Sequence, residues 1–114
     1  MRSGKKTNEN NGAKADSALQ AVVGEMSGMS GVTQAKFFGF EGFKVMDKFF
    51  ALTFKGRLVV KLPLERVETL IAEGKGRQFN PYGRIKREWI SIEASGDNWL
   101  GLVQEAKDFV VEGA

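Results

Sequence analysis

The chain has 114 residues, with 17 basic and 14 acidic side chains and neither cysteine nor histidine. That length suits one domain with its own core. The two missing residue types exclude disulfides, thiolate nucleophiles, thiolate metal sites, and any acid–base or metal chemistry resting on imidazole. No apolar run approaches a membrane span, and the N-terminus has no apolar stretch of the secretory kind, so a cytoplasmic protein without a membrane role is expected.

The net charge of +3 is unevenly placed. Residues 1–15 carry four basic side chains and one acidic, residues 30–87 twelve and five, and residues 88–114 one and six. A positive middle and a negative C-terminal element can steer a charged partner or pair with a second copy of the chain; the plainer reading is that each element has an ordinary solvated face.

Residues 1–15 are rich in Asn, Gly and Lys and have almost nothing to bury. They are expected to form a disordered tail, in part a remnant of expression, ahead of a single domain at 16–114. A first helix follows, with Asp16 or Ser17 as N-cap and Ser17 with Gln20 as a capping box. Its apolar stripe is Leu19, Val22, Val23 and Met26, and Gly28 and Gly31 end it. From residue 33 to 62 apolar and polar residues alternate, which predicts four antiparallel strands at 33–38, 43–46, 49–54 and 57–62. The connections fall around Gly39 to Gly42, at Asp47-Lys48 and at Lys55-Gly56. In the fourth strand Leu58, Val60 and Leu62 face the core while Arg57, Val59 and Lys61 point away.

Pro63 suits the first turn of a second helix that buries Leu64, Val67, Leu70 and Ile71 and ends at Gly74. A loop is expected over residues 75–86, with Phe79 and Tyr82 pinning it to the core. The fifth strand, 87–94, puts Ile90 and Ile92 on one face and Trp89, Ser91 and Glu93 on the other. Ser95-Gly96-Asp97 then caps a last helix whose stripe is Trp99, Leu102, Val103, Ala106, Phe109 and Val110. The order α-β-β-β-β-α-β-α describes an α+β fold, an antiparallel sheet of about five strands with helices packed on one face.

Any acid–base chemistry would fall to carboxylates. Glu65, Glu68, Glu73, Glu105, Asp108 and Glu112 read as solvated helix faces, and Asp47 as a turn residue. Gly39, Gly42 and Gly56 miss both the P-loop and the dinucleotide fingerprints and separate strands instead. No catalytic residue, metal ligand or cofactor site is predicted, and the chain is expected not to be an enzyme. The best candidates are cations. Lys44, Arg57 and Lys61 would share the outer sheet face with Trp89, and the loop adds Lys75, Arg77, Arg84, Lys86 and Arg87 around Phe79 and Tyr82. Cations interleaved with aromatics can hold a phosphate backbone and stack bases. Lysines on an open sheet face also serve plainly as solubilisers that discourage edge pairing.

The stretch from Lys36 to Glu93 resembles the N-terminal domain of the TfoX/Sxy family of competence regulators. The resemblance is carried by Lys36-Phe37-Phe38-Gly39, Phe49-Phe50-Ala51-Leu52 and Gly56-Arg57-Leu58-Val59-Val60-Lys61-Leu62-Pro63. Arg66-Val67, Phe79-Asn80-Pro81, Lys86-Arg87-Glu88-Trp89-Ile90 and the final helix continue it. More distantly the layout is similar to the YjbR-like proteins, whose fold is described as a double-wing DNA-binding one. The resemblance implies a regulatory role, through DNA or a regulatory protein, and brings no catalytic residues. Competence regulators of that family carry a second, helical domain after this one, so a stand-alone domain is expected here. A self-associating or protein-binding module without nucleic acid is the alternative.

Overall fold

A computed structural model describes residues 19–37, 40–93 and 99–113. The expected tail at 1–15, the Asp16/Ser17 cap and the Ser95-Gly96-Asp97 cap lie outside them. Residues 19–27 are helical (α1). Four strands follow: β1 (Val32–Phe37), β2 (Phe40–Val45), β3 (Lys48–Phe54) and β4 (Arg57–Lys61). Then come α2 (Leu64–Ala72), β5 (Arg77–Phe79), a 3-10 turn (Pro81–Gly83), β6 (Lys86–Ile92) and α3 (Trp99–Gly113). The six strands form one antiparallel sheet in the order β1-β2-β3-β4-β6-β5. The expected α+β class and element order are found, with one more strand than the five anticipated. The addition is β5, which lies in the stretch read as a loop. Three residues between glycines and a proline carry little periodicity, and only the exposed edge of β6 makes them a strand.

Two of the strand connections are set by backbone conformation. Met46 and Asp47 (φ 52° and 67°) and Lys55 and Gly56 (φ 51° and 77°) turn the β2–β3 and β3–β4 hairpins. Two successive residues at positive φ match the right-handed twist of paired strands. The β2–β3 turn therefore sits one residue earlier than predicted, and Met46 is an exposed turn residue outside the strand. Gly42 lies within β2, where it opposes Leu52 and Ala35, so it connects nothing. A Cβ there would come within 2.6 Å of the Phe49 ring, which lies across it. Pro63 takes the N-cap position of α2 and its carbonyl accepts from the Val67 N–H at 3.0 Å. Gly74 (φ 75°) closes that helix, its N–H donating to the Ile71 carbonyl at 3.0 Å. Leu64, predicted to be buried, is exposed on the first turn.

Side-chain alternation sorts the sheet into two apolar layers. Phe43, Val45, Phe50, Ala51, Leu58, Val60, Leu62, Ile90 and Ile92 face the helices, meeting Val22 and Met26 of α1, Val67 and Leu70 of α2, and Leu102, Val103, Ala106 and Val110 of α3. Phe50 and Ala51, though adjacent, both enter this core because the β2–β3 register shifts at Phe43/Lys44, and a bulge lets consecutive residues share a side. On the other face Leu52 and Val59 are fully buried, together with Phe79, beneath Phe37, Phe40, Phe54 and Trp89. Five strands at about 4.8 Å spacing would hold β1 and β6 roughly 19 Å apart in a flat sheet. The Phe37 and Trp89 rings nevertheless stand 6.1 Å apart, so the outer face is concave and lined by its own aromatics.

Candidate binding surface

The outer face differs from the basic face expected. Phe37, Phe40, Phe49, Phe54 and Trp89 fall on the same side as Arg57, Val59 and Lys61, so the centre is aromatic and the cations lie over or around it. Lys61 opposes Trp89 across β4 and β6, with its Nζ 6.0 Å from the indole. Lys44 lies 5.6 Å from the Phe49 ring centroid and pairs with Asp47 at 3.1 Å. Trp89 is half-buried against Phe37. The structure brings Lys44, Lys61 and Trp89 to one concave surface.

Arg57 is committed elsewhere. Its Nε donates to Ser91 Oγ at 2.7 Å, a terminal nitrogen donates to the Ser91 carbonyl at 3.1 Å, and Glu93 stands 3.9 Å away. Burial, and then the neighbouring Arg77 charge, lower its pKa, while Glu93 opposes them. The guanidinium ties β4 to β6 and has little left to offer a partner.

The remaining candidates cluster on the β5–β6 hairpin. Residues 74–87 hold five cations and no carboxylate, a run bracketed by Glu73 and Glu88. Lys75 folds back to Glu73 at 3.4 Å. Arg77, Arg84, Lys86 and Arg87 are exposed and make no ion pair or side-chain hydrogen bond among the described residues. Phe79 anchors the hairpin as expected, being buried in the outer layer beside Phe54. Tyr82 does not: it is 80% exposed at the tip, with Ile85 also exposed nearby. The tip is a tight turn in which Tyr82 (φ 56°, ψ 32°) and Gly83 (φ 79°) both take positive φ and the Arg84 N–H donates to the Pro81 carbonyl at 3.1 Å. Pro81 and Gly83 marked this stretch as part of a loop in the sequence. Nothing in the residue order said that the tyrosine would point outward.

A cleft of about 600 Å³ opens between α2, α3 and the ends of β4 and β6, lined by Arg57, Arg66, Arg77, Glu93, Trp99 and Glu105 among others. Arg66 donates twice to Glu105, at 2.9 and 3.0 Å, and that hydrogen bonding raises its pKa. The cleft's two carboxylates, Glu93 and Glu105, each stand beside an arginine, Arg57 and Arg66, while its Arg77 has no ion-pair partner among the described residues. Among the described residues no three carboxylates, cysteines or histidines gather as a metal site, and no helix is long and apolar enough to cross a membrane.

An open antiparallel sheet, helices on one side, and a cationic hairpin beside an aromatic hollow define a small α+β domain. The YjbR family model matches residues 27–107, and the chain belongs to the YjbR family. Of the two resemblances read from the sequence, the more distant is therefore the one found. No curated protein and no solved structure matches the chain.

Proposed function

We propose that this protein is a non-enzymatic domain that grips a nucleic-acid backbone through its β5–β6 hairpin, with the Lys61–Trp89 margin of the concave face as a second contact. The observation that carries this reading is the set of four exposed cations, Arg77, Arg84, Lys86 and Arg87, unpaired among the described residues and in a stretch without a carboxylate. Uncompensated cations on a projecting hairpin attract phosphates and release counterions on contact. A regulatory role in the cytoplasm, of the kind the TfoX/Sxy resemblance implies, is the finer form of the same proposal. Self-association through the acidic C-terminal helix fits less well, because Glu105 of α3 is already held by Arg66 of the same chain.

Fluorescence anisotropy with labelled oligonucleotides over a salt series tests the proposal. Affinity should fall steeply with salt, and the double variant Arg84→Glu/Lys86→Glu should weaken binding and reduce the logarithmic salt slope by about 1–2. Failure to bind any duplex or single strand at about 50 mM salt would sink it.

A further inference from the structure

We infer that the nucleic acid taken by the hairpin is single-stranded, and that Tyr82 is the platform on which an unpaired base stacks. The inference rests on the nucleic-acid reading above and specifies its substrate.

Tyr82 occupies a position that the fold does not explain. The first central residue of a turn with two positive φ values is normally Asn, Asp or Gly, and a bulky side chain there is an outlier. Burial offers no compensation, since four-fifths of Tyr82 is exposed and its hydroxyl makes no hydrogen bond among the described residues. Backbone strain of this kind, retained for one ring contact with Phe40 and no burial, points to a use outside the fold.

The ring is nevertheless held in place. It lies nearly parallel to Phe40, at 6.0 Å and 19°, and Phe40 meets Phe54 edge-on at 4.8 Å. Phe54 in turn meets buried Phe79 at 5.2 Å. One side of the tyrosine is therefore braced by a chain of aromatics rooted in the outer layer, and the opposite side faces away from the protein. A base stacking there would extend an existing aromatic series, with Arg84, Lys86 and Arg87 next to it to take the phosphates on either side. Stacking of this kind needs a base whose flat face is free, which a paired duplex does not present outside its ends. The helices support the same choice. Reading a major groove calls for a helix bearing free cations. In α2 the only cation is Arg66, which is bound to Glu105, and in α3 the only one is Lys107.

The test compares the full chain with Tyr82→Asn and Tyr82→Phe. Three labelled probes of equal length are used: an unstructured oligothymidylate strand, the same sugar–phosphate strand without bases, and a duplex. Asparagine suits the turn, so the Asn variant keeps the hairpin, and a thermal melt verifies this. The wild type should bind oligothymidylate more tightly than either other probe at the same salt. Tyr82→Asn should lose about tenfold on that strand alone, while Tyr82→Phe stays close to wild type. Tighter binding to the duplex would overturn the single-strand assignment while leaving the nucleic-acid reading intact. An equal loss on the baseless strand, or no loss at all, would overturn stacking. Absence of binding to all three probes would overturn the reading beneath it.

Discussion

At the scale of single residues, Tyr82 sets function against stability. A left-handed backbone costs a non-glycine residue about 1–2 kcal/mol, less for asparagine. Replacing Tyr82 by Asn should therefore raise unfolding stability by about 1 kcal/mol, read as a higher urea midpoint with an unchanged slope. A lower midpoint would mean that the ring's contact with Phe40 outweighs the strain. Arg57 makes the opposite point. It was grouped with Lys44 and Lys61 as an outward cation, and strand alternation does place it on that face. Its two hydrogen bonds to Ser91, 34 residues away, turn a surface charge into a strap between strands. Spacing along a chain gives the side of the sheet on which a residue lies, and only the register of β4 against β6 decides what it meets there.

At the scale of elements, the outer layer beneath Phe37, Phe40, Phe54 and Trp89 behaves as a second core. Leu52 is fully buried there, so Leu52→Ala should cost about 2–5 kcal/mol in chemical denaturation, the usual range for a core leucine. A loss of a few tenths would show that this face is solvated. The β1–β2 hairpin carries an acid-sensitive tie. Gln34 Nε2 donates to Glu41 Oε2, Lys36 Nζ stands 3.2 Å from Glu41 Oε1, and the first of these contacts leads in holding the Glu41 carboxyl below its usual range. A lowered folded pKa contributes stability that is complete above the ordinary glutamate value of about 4.3 and is lost as pH falls through the folded one. Glu41→Gln should therefore lower stability at neutral pH, by no more than about 0.2–1 kcal/mol for a tie this exposed, and converge with wild type as the pH falls through the lowered folded pKa. Parallel loss at every pH in a denaturation series would argue against an electrostatic origin. β3 was read as an alternating strand, yet its run Phe49-Phe50-Ala51-Leu52 is continuous in the way of a strand buried on both faces. The bulge that sends both Phe50 and Ala51 to the helices was not legible there, because it depends on how β2 pairs.

For the whole molecule, the segregated charge finds internal outlets among the described residues in Arg57–Glu93 and in Arg66–Glu105, the latter linking the positive middle to the acidic last helix across 39 residues. Arg66 and Glu105 are both partly exposed, so a double-mutant cycle to alanine should give a coupling of about 0.5–1 kcal/mol that shrinks in high salt. A coupling above about 3 kcal/mol would mark a desolvated pair that organises the packing of α2 against α3. The class of fold, the order of the main elements, the core stripes of β4 and of the helices apart from Leu64, and the cationic character of residues 75–87 were all determined by the sequence itself. Each follows from local periodicity, turn chemistry and composition, which act between near neighbours. The tertiary structure alone decided that part of this cationic stretch is an edge strand and the rest a hairpin tip. It also decided that the expected basic face is an aromatic hollow and that Tyr82 stands outside it. Those outcomes rest on which strand edge was left unpaired and on how far the sheet curls, and contacts between residues dozens of positions apart set both.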